Sequence, residues 1–250
     1  MFLAKSASST EWRAVAAAIK TLVEEATFDA TDQGLTFRAM DPSHVALVDL
    51  QMPNSSFEKY EMDKPLKFSV RVEDFVKLVN RADSRDSLSI SSAEDDAISL
   101  TFANGYKREF TIHLIESSAG AAPLPKLEFD TKVTLTKSIF EKLLGDISAV
   151  ADQVTIEATK EKLSFSGKSD VGKAAIALAK NDADILEMQV KADSKATYSV
   201  DYLVSITKTA GSASDTLVME LANKKPIRLT FKLNDQGANL TYFLAPRVAD

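Results

Sequence analysis

The stretch TDQGLTFRAMDPSHVALVDL, from Thr31, and the stretch TKEKLSFSGKSDVGKAAIAL, from Thr159, carry one apolar pattern at an offset of 128 residues. The offset matches Thr31 with Thr159, Leu35 with Leu163, Phe37 with Phe165 and Leu50 with Leu178. Carried back toward the N-terminus of each copy, it pairs Trp12 with Phe140, Val15 with Leu143 and Ile19 with Ile147. Strand-like and helix-like segments have different periods, so a chance coincidence would not hold one offset through both. Further on, FSVRVEDFVKLVNRADSRDSLSI parallels YSVDYLVSITKTAGSASDTLVM with the offset drifting by one or two. Two copies of this length describe a duplicated domain rather than a solenoid. Between them lies ESSAGAAPLPKLEFD, whose Ser, Gly, Ala and Pro content marks a linker. The expected organisation is an N-terminal domain over 1–116, a connector over 117–131 and a C-terminal domain over 132–250.

Each copy reads as a helix, several strands, a short helix and more strands, an α+β pattern. The first helix is expected over Ser9–Glu25, with Trp12, Val15, Ala16, Ile19 and Val23 at helical spacing behind Ser and Thr capping residues. A second is expected over about Arg71–Ala82, with Val72, Phe75, Leu78, Val79 and Ala82 on one side. The third, Lys137–Val150, places Ile139, Phe140, Leu143, Leu144, Ile147 and Val150 together, and a weaker fourth covers roughly Asp201–Ala210. The rest is short alternating strands.

Much chemistry is excluded. The chain has no cysteine, so disulfides, thiolate metal sites, iron–sulfur clusters and cysteine nucleophiles do not arise. His44 and His113 are the only histidines, too few for a three-histidine metal site. The phosphate-loop, dinucleotide, nucleophile-elbow and zincin motifs are absent. Acidic runs such as Glu94-Asp95-Asp96 and Glu24-Glu25 read as solvated charge, and His44 lacks an identifiable nucleophile to serve. No enzyme, metal or cofactor is expected. No apolar run reaches the ~20 residues of a membrane helix, and the N-terminal apolar stretch is short for a secretory signal, so a soluble intracellular chain is expected.

The net charge of −6 argues against a simple basic nucleic-acid binder but does not say where the charges sit. Arg13 and Lys20 are seven residues apart on the first helix and flank its apolar stripe; Lys77 and Arg81 are four apart on the second. The third helix offers Lys137 and Lys142 and the fourth Lys208. Lys and Arg outside an amphipathic helix are ordinary, but these fall on helices that the repeat makes equivalent.

The motifs LTFRAMDPSHVALVDL (Leu35–Leu50) and YFLAPRV (Tyr242–Val248), with the MF start, FSVRVEDFVKLV and the PLP at Pro123–Pro125, complete a pattern. Over essentially its whole length the chain resembles the DNA sliding clamps of the proliferating cell nuclear antigen family, in the archaeal style. The resemblance implies a DNA-clamp fold: two similar domains per subunit, and three subunits closing head-to-tail into a ring. Helices would line the hole and antiparallel sheets would form the outside. It implies a polymerase processivity factor that encircles duplex DNA without base readout. Arg13, Lys20, Lys77, Arg81, Lys142 and Lys208 would face the DNA. Gly145 and Ala149 share the strip of Lys142, and Asp201 the side of Lys208, so the second domain is expected to be the weaker half of that surface.

The resemblance also implies a homotrimer closed by Tyr106–Leu114 of one subunit against Val171–Lys180 of the next, with Phe110, Ile112 and Leu114 meeting Ala174, Ile176 and Leu178. Partners would be a replicative DNA polymerase, a clamp loader, a flap endonuclease and a DNA ligase. Each would bring a short motif of an aliphatic residue and two aromatics on a helical turn. The groove receiving it would combine Met40, His44, Val45 and Leu47 with Leu124, Pro125, Phe243, Leu244, Ala245 and Pro246. The second copy keeps the strand pattern but lacks DPSHV, so one groove per subunit is expected. No membrane partner is implied; the compartment would be the archaeal cytoplasm at the nucleoid, or the nucleus of a eukaryote. The alternative is a subunit of a heterotrimeric or checkpoint-type ring with the same fold.

Overall fold

The computed structural model describes residues 1–93, 96–116, 122–211 and 213–247. The chain divides into two compact units, Met1–Pro123 with Thr209–Ala213 and Lys232–Leu240, and Leu124–Lys208 with Ser214–Phe231 and Thr241 onward. Among the described residues no helix is long and apolar enough to cross a membrane.

The first unit runs β1 (Phe2–Ser6), α1 (Thr10–Leu22), β2 (Glu25–Thr31), β3 (Gly34–Met40), β4 (Ala46–Pro53), β5 (Lys59–Met62), β6 (Leu66–Arg71), α2 (Val72–Val79), β7 (Ser87–Ser92), β8 (Ala97–Asn104) and β9 (Tyr106–His113). Strands follow the orders β5-β1-β7-β8-β9 and β4-β3-β2-β6, with antiparallel neighbours. Alternation explains the core: Ala26, Phe28 and Ala30 of β2 are buried while the residues between them are not. The Phe28 ring lies 5.5 Å from Phe37, 5.2 Å from Phe68 and 5.7 Å from Phe75, so strand and helix faces meet on one aromatic cluster. Trp12 of α1 is fully buried edge-on to Phe75 of α2, and its indole N–H donates to Ser6 Oγ at 2.9 Å.

The second unit runs β10 (Thr131–Thr136), α3 (Lys137–Ser148), β11 (Gln153–Ala158), β12 (Lys162–Lys168), β13 (Lys173–Ala179), β14 (Ile185–Val190), β15 (Ser194–Ser199), α4 (Val200–Thr209), β16 (Thr216–Leu221), β17 (Ile227–Lys232) and β18 (Asn239–Leu244). Its strand orders are β13-β12-β11-β15 and β14-β10-β16-β17-β18. The Thr136 side chain caps α3 by accepting from Ile139 N. Gly167 of β12 allows α3 to approach closely, because a Cβ there would sit 2.8 Å from Ile147 Cγ2 and 2.9 Å from Ala151 Cβ.

The repeat extends to individual hydrogen bonds. Thr27 and Ser69 share a hydroxyl bond of 2.8 Å in the first copy, and Thr155 and Thr197, each 128 residues on, share one of 2.8 Å in the second. Val72 N donates to Glu24 O at 2.9 Å, and Val200 N to Asp152 O at 2.9 Å. The β2–β3 turn is tied by Gln33 N to Thr31 Oγ1 at 3.3 Å, the β11–β12 turn by Glu161 N to Thr159 Oγ1 at 3.3 Å. Near each copy's end the chain returns to the same strand position: Ile115 N reaches Ser69 O and Arg247 N reaches Thr197 O.

Several expectations need correction. Leu50 faces Phe37, but it is Ile176 that faces Phe165, so Ile176 and not Leu178 is the counterpart of Leu50. The reason is the hairpin loop, which bridges Met40 to Leu47 in the first copy and the shorter Lys168 to Lys173 in the second. The second helix stops at Val79 rather than Ala82, its end wound into tight turns by Arg81 N to Leu78 O and Ala82 N to Val79 O. Arg81 therefore does not share a helix face with Lys77. Val76 is buried on α2 where Leu78 was expected; Leu78 is half-buried.

Candidate functional site

The DPSHV turn is organised by Asp41. Its Oδ1 accepts from Val45 N at 2.8 Å and Ala46 N at 2.6 Å, and its Oδ2 from Ser43 N at 3.3 Å. The backbone closes alongside, with Asp41 N to Ala46 O and His44 N to Asp41 O, each 2.9 Å. These bonds hold His44 in the left-handed region at φ 57, a conformation that non-glycine residues rarely adopt, and leave its side chain exposed. A short polar residue that satisfies three backbone donors accounts for the turn without any catalytic role for the imidazole.

The turn borders a recess of about 550 Å³ within the first unit. Met40, Pro42 and His44 line one side, Ala122 and Pro123 of the connector another, and Phe37, Arg38, Thr27 and Asp29 are also exposed to it. Of the groove residues expected from the sequence, Met40 and His44 thus share one cavity. Val45 is half-buried and Leu47, the cross-strand partner of Met40, is only 2% exposed. In the second unit Leu124 is 45% exposed, Pro125, Ala245 and Pro246 are half-buried, and Phe243 and Leu244 are buried. Phe243 and Leu244 alternate along β18, and a strand covered on both sides buries both.

Sequence reading missed the polar part of this recess. Arg38 and Asp49 are direct cross-strand partners joined by a 2.7 Å ion pair, and Asp29 pairs with Lys67 at 3.2 Å. The signal was present: Arg38 and Met40 share one face of β3, opposite Asp49 and Leu47 of β4, once the hairpin register is known.

Arg13, Lys20, Lys77, Arg81, Lys142 and Lys208 are all exposed, and among the described residues none forms an ion pair. Lys20 and Lys77 are brought together with Arg71 and Asn80 around an open cleft of about 770 Å³, where Glu24, Glu25 and Glu73 also face. The four helices carry as many basic as acidic residues, so the chain's acidic excess lies in strands and loops. Acids gather in first turns (Glu11, Glu73, Asp74, Asp201) and bases in last turns (Lys20, Lys77, Lys208), as the helix dipole favours.

Among the described residues six strands end a sheet, β9 and β13 among them. β9 pairs with β8 alone and β13 with β12 alone. On β9, Phe110 is half-buried against Phe102 with ring centroids 5.7 Å apart, and Ile112 is buried; Leu114 lies just past the strand. On β13, Ala174 and Ile176 are half-buried and Leu178 buried. Val171, expected in the strand, sits in the preceding turn and is 83% exposed. Arg108 ties β9 to the loop after α2 through Asp86, whose carboxylate is buried, and through Arg81 O at 2.9 Å. Its guanidinium also lies over the Phe102 and Tyr106 rings.

The perturbed titrations lie away from these surfaces. Burial raises Glu11 above the usual carboxylate range, and the Asn234 side chain offsets this only in part. Asn234 lies close enough to favour the charged form yet makes no bond of good geometry: Glu11 Oε2 and Asn234 Nδ2 are both buried without a hydrogen-bond partner among the described residues. Burial pushes Tyr60 up to about 12 and Tyr198 above the usual phenol range. Their hydroxyls donate to Thr31 O and Lys225 O, each at 2.8 Å. Among the described residues no three His, Cys, Asp or Glu side chains converge as metal ligands.

A duplicated α+β module with two helices per copy, antiparallel sheets and an unpaired edge strand in each copy is the DNA-clamp fold. The model of the proliferating cell nuclear antigen N-terminal domain matches residues 1–117, and that of its C-terminal domain matches residues 123–247. A DNA polymerase sliding clamp of Cenarchaeum symbiosum (strain A) is 46% identical over 248 residues, covering 99% of each chain. The DNA polymerase sliding clamp 1 of Thermococcus kodakarensis is 30% identical over 240 residues, covering 96% of each. The crystal structure of a Thermococcus kodakaraensis proliferating cell nuclear antigen shares the fold at a TM-score of 0.93 and 24% identity, over 99% of this chain and all of that one. The chain belongs to the proliferating cell nuclear antigen family of DNA sliding clamps.

Proposed function

We propose that the protein is a DNA polymerase sliding clamp: a processivity factor that encircles duplex DNA, has no catalytic activity of its own and recruits enzymes through the recess beside the DPSHV turn. The observation that carries the reading is that the two strands expected at the junction, β9 in one copy and β13 in the other, are both sheet edges within one duplicated chain. An edge strand in each copy invites head-to-tail pairing between copies of the chain, which ends in a ring when the rotation closes. Phe110 and Ile112 on one side, Ala174, Ile176 and Leu178 on the other, with Leu114 beside them, then continue the two cores across the junction. In this reading the two clamp domains are 1–116 and 132–250, joined by a connector over 117–131, of which 117–121 lie outside the described residues.

In such a ring Arg13, Lys20, Lys77, Arg81, Lys142 and Lys208 meet phosphates without reading bases. Helix surfaces of balanced charge on an otherwise acidic chain hold DNA loosely, which permits sliding. Met40 and His44, with the half-buried Val45 beside them, receive the partner's aliphatic and aromatic side chains. Methionine suits several partners in turn. Polymerase, clamp loader, flap endonuclease and ligase compete for that one site in the archaeal cytoplasm.

The test pairs native mass with primer extension. A trimer that lengthens the products of a replicative polymerase on circular primed DNA supports the reading; a monomer that never stimulates synthesis overturns it. A trimer formed only on mixing with a related chain would assign it to a heterotrimeric ring.

A further inference from the structure

The wall of the recess hangs on one side chain. Two cross-strand pairs follow each other along β3 and β4: Met40 opposite Leu47, then Arg38 opposite Asp49. Asp49 is 7% exposed, and Gln51 Nε2 donates to both of its oxygens at 3.1 and 3.2 Å. Arg38 Nε donates to Asp49 Oδ1 at 2.7 Å, which fixes one edge of the guanidinium. The free edge turns toward the connector, where Nη1 donates to the Ala122 carbonyl at 3.5 Å. Among the described residues this is the single hydrogen bond that Ala122 makes, and Pro123 beside it has no N–H to offer.

We infer that Arg38 is a positioning residue for partner docking: held by Asp49, its guanidinium fastens the connector at Ala122 and presets the recess before a partner segment arrives. The inference rests on the docking reading above. A wall already in place removes the cost of ordering it during binding. Arginine is suited to the task because its planar fork serves two acceptors in different directions. A lysine ammonium at this position would be drawn to the Asp49 carboxylate and leave Ala122 without a donor. The pair also explains a buried carboxylate beside an apolar surface, since Asp49 aims the arginine.

The test uses the full chain with Arg38→Lys, which keeps a charge beside Asp49 and therefore the fold, and Arg38→Gln as the stronger change. Each is titrated with a synthetic peptide carrying an aliphatic residue and two adjacent aromatics on one helical turn. Amide hydrogen exchange at Ala122 and Leu124 is followed in the free protein. Both variants are expected to bind the peptide about fivefold to tenfold more weakly, the scale of one ordinary hydrogen bond, and to exchange faster at those amides. The native mass of Arg38→Lys is expected to match wild type. Unchanged affinity in both variants overturns the inference, and so does weakened binding with unchanged exchange, which would make Arg38 a direct contact instead. Wild-type protein that leaves the peptide unbound overturns the docking reading itself, a result distinct from wild-type binding that the substitutions do not alter.

Discussion

Glu11 occupies the first turn of α1, where the helix dipole favours a carboxylate, but burial opposes the charge and the net shift is upward. A folded-state pKa above the unfolded value means that the group's contribution is fully present below the unfolded value. It is lost as pH rises through the folded one. Glu11→Gln should therefore stabilise the protein by about 1 kcal/mol at neutral pH, the scale of one buried group left unsatisfied, and by less near pH 4. Denaturant unfolding at the two pH values checks this; equal gains at both would show that desolvation of the charge is not the cause. Nothing in the sequence separated Glu11 from exposed helix acids such as Glu73, because its burial is set by the tertiary fold, with Asn234, more than two hundred positions away, beside it.

Among the elements, α3 runs against helix propensity at one interior position. Gly145 lies within it, and a Cβ built there meets nothing within 4 Å. Gly145→Ala should stabilise the fold by up to about 1 kcal/mol, read as a raised melting temperature with unchanged native mass. Gly167 marks the contrast, since α3 already fills the space its side chain would take. Helix starts were legible from the apolar period, although the Ser9 side chain makes no capping bond before α1 and Arg71 none before α2; the end of α2 was not. Leu78 and Ala82 continue the helical spacing, while tight backbone turns after Val79 decide where the helix stops. Strand pairing likewise exposed the slip that the constant offset hid, placing Ile176 where Leu178 was expected.

For the whole molecule, ring closure and sliding give separate predictions. Phe110→Ser or Ile176→Ser should shift the native mass from trimer toward monomer while circular dichroism stays that of a folded chain; an intact trimer would remove β9 and β13 from the junction. Lys20→Ala with Lys77→Ala should weaken DNA loading and polymerase stimulation, with the largest difference from wild type at low salt and a smaller one as salt rises. The slope of log affinity against log salt should fall by about 0.9 for each phosphate that is no longer neutralised. An unchanged slope would show that these lysines do not face DNA.

The sequence alone determined the duplication, the α+β class, the absence of cysteine chemistry and the family resemblance, because each depends on local period or on motifs contiguous in the chain. The structure decided what depends on register. It paired Leu47 with Met40 across the hairpin and buried it instead of leaving it at the surface, set His44 in a left-handed turn held by Asp41, and brought Arg38 between Asp49 and Ala122. Apolar spacing says which face of a strand is buried. It does not say what lies across the hairpin or which distant backbone carbonyl a charged side chain will reach.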